Sequence, residues 1–308
     1  MGRGSSGQYL LYIGVFIVCI VIYLQFQETT EGFDGAKKGP PKGIIVELIG
    51  GLGNQLYIYS AAKMMQSAVN VPIYLKLADE PINSTFNHAE TDYRPILFSE
   101  FKAVDGTEPM FQDKIDVRVE NKFWDPWTPS TIPLDTDKYI YIPNQWYQHL
   151  PSIQLVLPDV KSHIISTLQG LYKDTVVEEG SAFMHVRRGD YTSQENNAYL
   201  LQIDYYLKAL KHITMRDSIK TINIFSDDIA WCKQQGWDSP KQIIYIDEPD
   251  EMKALYMMSQ CKGGAIISNS TFSTWGALLG ASESGVVVYP SKWLYGAETA
   301  FPPSWIRI

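Results

Sequence analysis

Two adjacent arginines, Arg187 and Arg188, stand in the motif His185-Val186-Arg187-Arg188-Gly189-Asp190-Tyr191, directly after the apolar run Ser181-Ala182-Phe183-Met184. A guanidinium keeps its charge at every working pH, and its planar fork meets phosphate oxygens in pairs. Two such groups at the end of a buried strand make an anion site, with a diphosphate as the fitting occupant. A surface ion pair with Asp190 is the competing reading of the same residues.

Other polar segments also follow short apolar runs: Phe225-Ser226-Asp227-Asp228, Ser268-Asn269-Ser270-Thr271-Phe272 and Tyr289-Pro290-Ser291-Lys292-Trp293. Asp227 and Asp228 offer acceptors to ribose hydroxyls or base N–H groups, or to the start of a helix. Ser270 and Thr271 precede a helical segment containing Trp275, Ala277 and Leu278. Their hydroxyls and the exposed amides there can hold a phosphate oxygen, a plain helix cap being the alternative. Gly50-Gly51-Leu52-Gly53-Asn54-Gln55 occupies a strand-to-helix turn, where glycine lets backbone approach a ligand. Leu56 stands where a dinucleotide fingerprint needs its third glycine, and no GxxxxGK[ST] segment occurs. An NAD enzyme is therefore not expected, and a P-loop ATPase is excluded.

No metal site or cofactor is expected. Asp135-Thr136-Asp137 spells the DxD pair of metal-dependent sugar transferases, but it lies in a Pro-rich polar stretch and reads as a solvated loop. The five histidines and three cysteines lack metal-ligand spacing. With Cys19 in an apolar run, Cys232 and Cys261 are the one pair available for a bridge.

These residues must be positioned by a core, and 308 residues with 45% hydrophobic content supply one. A net charge of -8 argues against a nucleic-acid partner, which needs a basic face. Apolar, β-rich runs at 181–186, 221–225, 243–246, 264–267 and 286–289 alternate with helical patterns at 203–213, 228–236, 250–260 and 272–282. That alternation predicts a parallel, doubly wound sheet, whose strand ends line one crevice. Residues 44–77 read as a βαβ unit with a largely buried helix over 55–69. The stretch 79–160 reads as long loops. It carries Trp124 and Trp127 beside Pro126, Pro129 and Pro133, with Trp146 farther on.

Residues 9–26 are uncharged and give a helix of about 27 Å, enough to cross a bilayer. The expected organisation is a tail over 1–8, a signal anchor over 9–26, a stem over 27–43, an α/β subdomain over 44–165 and a nucleotide-binding subdomain over 166–308. The chain is then a type II membrane protein, of the Golgi if eukaryotic. In a secretory lumen Asn83, in Asn83-Ser84-Thr85, is a glycosylation site.

With these segments in view, the chain resembles the α-1,2-fucosyltransferases of glycosyltransferase family 11. The matching pieces run in order from Ile49-Gly50-Gly51-Leu52-Gly53-Asn54-Gln55 through the 185–191 motif to Pro303-Ser304-Trp305-Ile306. The resemblance implies a GT-B-like fold of two Rossmann-like subdomains and inverting, metal-independent transfer of L-fucose from GDP-L-fucose to the 2-hydroxyl of a galactose-terminated glycan. It puts His185 and Arg187 on the GDP, with Arg187 on the β-phosphate, Arg188 in support and Asp190 as a candidate base or as a brace for the arginines. It makes Trp124, Trp127 and Trp146 candidates for stacking on acceptor sugars, the core being the alternative. It also places Asp227, Asp228 and the segment Ser268, Asn269, Ser270, Thr271 and Phe272 around the nucleotide. Gly51, Gly53, Asn54 and Gln55 face them across the cleft. Departures at Tyr57-Ile58, Thr274 and Leu278 leave the acceptor open. Another acceptor hydroxyl and a non-catalytic sugar- or nucleotide-binding protein are the alternatives.

Overall fold

The computed structural model describes residues 39–76, 93–97, 99–118, 124–282, 285–293 and 300–308. The expected span over 9–26, the stem up to 38 and Asn83 lie outside them. Among the described residues, no helix is long and apolar enough to cross a membrane.

The first sheet is built from β1 (Gly43–Glu47), β2 (Ile73–Lys76), β3 (Lys102–Val104), β4 (Lys114–Asp116) and β5 (Tyr139–Ile142), with helix α1 (Leu52–Ala68) between β1 and β2. All its pairings are parallel, in the order β3-β2-β1-β5-β4. Every residue of β1 is buried, as a central strand covered on both faces requires. The stretch 79–160 therefore contributes three strands rather than loops alone. Their three or four residues each, several exposed at the sheet edge, carry too little periodicity to be seen in sequence.

Helix α2 (Leu157–Leu171) leads to the second half, where β6 (Ser181–Val186), α3 (Ile203–Thr214), β7 (Thr221–Ser226), α4 (Ile229–Lys233), β8 (Gln242–Ile246) and α5 (Glu251–Gln260) alternate. They continue as β9 (Gly264–Ile266), α6 (Thr271–Gly280), β10 (Val286–Tyr289) and β11 (Ile306–Arg307). The sheet order is β11-β10-β9-β6-β7-β8, all parallel. Successive strands thus run outward in one direction from β6 and in the other from β9, the strand order of a dinucleotide-binding Rossmann sheet. The expected doubly wound architecture with two Rossmann-like halves is what the chain forms.

The proposed division at 165/166 falls inside α2. That helix buries Val160, Ile164 and Leu168 in the same core as Leu56 of α1 and Trp275 and Leu278 of α6, so no cut through it separates two cores. Helix α1 starts at Leu52, three residues before the expected start, which takes Gly53 and Asn54 into its first turn. Cys232 and Cys261 are both buried and free, so the available bridge is not made.

Candidate active site

The chain reverses direction across the second sheet between β6 and β9, and the crevice at the carboxyl ends of these strands is the ligand position of such sheets. Arg187 follows β6 directly. Its guanidinium is held by Asp190 at 2.6 Å and by Asp227, beyond the end of β7, at 2.7 Å, with 14% of the side chain exposed. Burial works against the charge, but Asp227 and then Asp190 outweigh it and raise the Arg187 pKa. The fork is thus fixed in place before any ligand arrives, so little side-chain entropy is lost when it binds one.

Arg188 is used differently. Its Nε pairs with Asp228 at 3.0 Å and its guanidinium carbon lies 3.9 Å from the centre of the Trp231 ring. Its backbone N–H donates to Asp227 Oδ1 at 2.8 Å. Asp228 also caps α4 by accepting from the Trp231 amide. Arg188 and Asp228 therefore hold the loop, while Arg187 borders the open crevice.

His185, the penultimate residue of β6, is buried, with Nδ1 3.0 Å from Ser268 Oγ. Burial first, and the Arg187 charge after it, lower its pKa to about 4 against the opposing pull of Asp227. The imidazole is neutral at physiological pH. Ser268 in turn meets Ser273, and Asn269 donates to the Tyr199 carbonyl, so these two residues brace the loop after β9.

Two helix N-termini converge here. Neither α6, entered at Ser270, nor α1, entered at Gly51, has a side-chain cap, which leaves first-turn amides pointing out of both helices. They can meet because Gly53 has no side chain: a β-carbon there would lie 2.3 Å from the Phe272 amide nitrogen. Gly50 has a φ of 72°, and Gln55 Nε2 donates to its carbonyl at 2.8 Å, fixing the turn. Asn54 Oδ1 accepts from Thr271 Oγ1 at 2.7 Å and from Gln148 Nε2 at 3.0 Å, joining α1, α6 and the loop after β5.

That loop occupies the corresponding reversal point of the first sheet, between β1 and β5. Asn144 and Tyr147 both have positive φ, 51° and 53°. For a tyrosine this is a strained conformation, costing on the order of 1–3 kcal/mol. Glu47 holds the loop by accepting from the Asn144 amide at 3.1 Å, while its other oxygen pairs with buried Lys76 at 3.2 Å. Trp127 packs edge-on against Tyr147 at 4.8 Å.

Two hollows border the first turn of α6 on different faces. The larger, of about 300 Å³, is lined by His185, Arg187, Asp227, Ser270 and Phe272 and extends to the loop after β8. The smaller, of about 20 Å³, is bordered by Tyr57, Trp124, His149, Thr271, Thr274 and Trp293. His149 Nδ1 lies 2.8 Å from Ser152 Oγ, and burial lowers the His149 pKa against a weaker opposing effect of Asp125.

The expected site residues are thus gathered, but with distinct duties. Arg187, His185, Ser270, Phe272 and Asp227 border the large hollow, while Arg188, Asp190, Asp228, Ser268 and Asn269 hold neighbours in place. Gly51, Gly53, Asn54, Gln55 and Thr271 form the junction. Of the three tryptophans, Trp124 borders a hollow, Trp127 is core and Trp146 packs over Gly50. Tyr57 and Thr274 border the small hollow, whereas Ile58 and Leu278 pack in the core. Asp135 and Asp137 are exposed ahead of β5, at the end of the sheet away from the crevice. Among the described residues no cluster of three metal-binding side chains exists. Gln148, His149 and Asp247 were missed in sequence. Asp247 carried one signal, its place directly after the β-rich run 243–246, whereas Gln148 and His149 lie six and seven residues beyond β5 and carried none.

The family model for Glycosyl transferase family 11 matches residues 124–308. An alpha-1,2-colitosyltransferase of Escherichia coli is 31% identical over 148 residues, 44% of this chain and 50% of the relative. A galactoside 2-alpha-L-fucosyltransferase of Mus musculus is 27% identical over 198 residues, 58% of this chain and 53% of the relative. The chain spans about half the length of these curated relatives. Among solved structures, the fucosyltransferase NodZ from Bradyrhizobium aligns over 78% of this chain and 93% of its own, at 12% identity and a TM-score of 0.45.

Proposed function

Because this chain belongs to glycosyltransferase family 11, we propose that it moves L-fucose from GDP-L-fucose to the 2-hydroxyl of a galactoside, with inversion and without a metal. The observation that carries this reading is Arg187, clamped by Asp190 and Asp227 at the reversal point of a Rossmann sheet, beside two uncapped helix N-termini. The diphosphate lies in the large hollow, on Arg187 and the α6 amides. The attacking hydroxyl of the acceptor points into the small hollow, at whose rim the half-buried Trp124 offers an aromatic face to the sugar.

In the transfer, the acceptor oxygen attacks fucose C1 as the bond from C1 to the phosphate oxygen breaks, and the bonding pair leaves on the GDP. Arg187 and the helix amides stabilise that developing charge, which supplies what a metal supplies elsewhere. With Asp190 spent on Arg187, neutral His149 is the group that takes the acceptor proton.

A second reading keeps the chemistry and changes the donor sugar to colitose, as the name of the Escherichia coli relative supports. In either reading the chain is anchored through residues 9–26 as a type II membrane protein. Incubating the full-length chain with labelled GDP-fucose or GDP-colitose and galactose-terminated glycans, with and without chelator, tests this. Transfer of fucose to the 2-position in chelator is expected; loss of transfer in chelator, or transfer to another position, overturns it.

A further inference from the structure

Three of the strand ends along the large hollow have a chemical order. The phosphate clamp follows β6, Asp227 follows β7, and the loop Asp247-Glu248-Pro249 follows β8, farthest from the reversal point. A nucleotide with its diphosphate on Arg187 therefore extends its base toward β8. Ile246 at the end of β8, Pro249 in the loop after it and Ala254 on α5 give that end apolar walls, which fit the faces of a flat ring.

The carboxylates around the hollow differ in what they already bind. Both oxygens of Asp227 are taken, by Arg187 and by the Arg188 amide. Glu248 accepts from the Asp250 amide at 3.1 Å and pairs with Lys253 at 2.6 Å. Glu251 accepts from the Tyr93 hydroxyl. Asp247 alone among these has no hydrogen bond or ion pair with any described residue, and it is exposed at the mouth of the hollow. An ionised carboxylate is acceptor-only, with two oxygens side by side. Guanine presents two adjacent donors, N1–H and the 2-amino group. Adenine and cytosine set one amino group beside an acceptor, and uracil sets one N–H between two carbonyls.

We propose that Asp247 is the base-selecting residue of this pocket, accepting from N1–H and the 2-amino group of guanine. This rests on the nucleotide-donor reading above and assigns to one side chain the choice of GDP over other nucleoside diphosphates. Charge-assisted pairing of this kind is worth tenfold or more in affinity, roughly, per bond.

The test is calorimetric titration of the full-length wild type and Asp247→Asn with GDP and with inosine diphosphate, which lacks the 2-amino group. The wild type is expected to prefer GDP by about tenfold or more, and Asp247→Asn to bring that ratio near one with unchanged thermal stability. GDP binding with the same preference in the variant overturns the assignment alone. Failure of the wild type to bind any nucleoside diphosphate overturns the nucleotide reading and the assignment with it.

Discussion

Gly53 and Phe272 are in backbone contact across the junction of the two sheets: a β-carbon on Gly53 would stand 2.3 Å from the Phe272 nitrogen and 2.7 Å from its α-carbon. Gly53→Ala sets two effects against each other. Replacing a helical glycine gains up to about 1 kcal/mol in propensity, but a clash with backbone that cannot rotate away costs about 1–3 kcal/mol or more. The clash wins, so a lower urea midpoint is expected, with a fall in transfer rate because α1 and α6 are pushed apart.

The two arginines should separate cleanly in kinetics. Arg187→Ala is expected to lower kcat by about a hundredfold or more, the usual loss when one preorganised donor to a developing oxyanion is removed. Arg188→Ala removes the contacts to Asp228 and Trp231, so its main effect is a lower melting temperature with kcat largely kept. Equal kinetic losses in both variants would refute the division of labour.

His185 makes stability depend on pH in a defined window. Its folded pKa is about 4, below the unfolded value of about 6.5, so between these values the unfolded chain binds the extra proton. The His185 contribution is therefore intact above about pH 6.5 and is lost as the pH falls toward 4. Urea unfolding of the wild type and His185→Gln across that range checks this, and the variant should show the shallower slope.

If His149 takes the acceptor proton, kcat should fall on the acid side, at a pH below the ordinary histidine value, because burial depresses its pKa. His149→Gln is expected to lower kcat by roughly a hundredfold and to abolish that acid limb. An acid limb that survives in the variant assigns the proton to another group.

The second half of this fold was legible because its strands are buried apolar runs ending in polar residues, and a parallel sheet turns that sequence order into spatial convergence. Arg187, Ser270 and Phe272 were found this way. The first half was not: β3 and β4 are three-residue edge strands, and the loop carrying Gln148 and His149 depends on positive φ at Asn144 and Tyr147, residues that do not advertise it. Asp247 was overlooked for a related reason. Beside Glu248 it looks like one more solvated charge, and only the partners found for its neighbours set it apart.

Helix α6 faces the two hollows with different residues, Ser270 and Phe272 toward one, Thr271 and Thr274 toward the other. Thr271 and Thr274, three apart, share a helix face, while Phe272 is turned from Thr271 by about 100° and Ser270 stands just ahead of the helix. One turn of helix thus keeps two independent ledgers of change. Under the proposed transfer, substitutions at Thr274, or at Tyr57 in the same hollow, change acceptor choice during divergence or design while the residues bordering the larger hollow stay as they are.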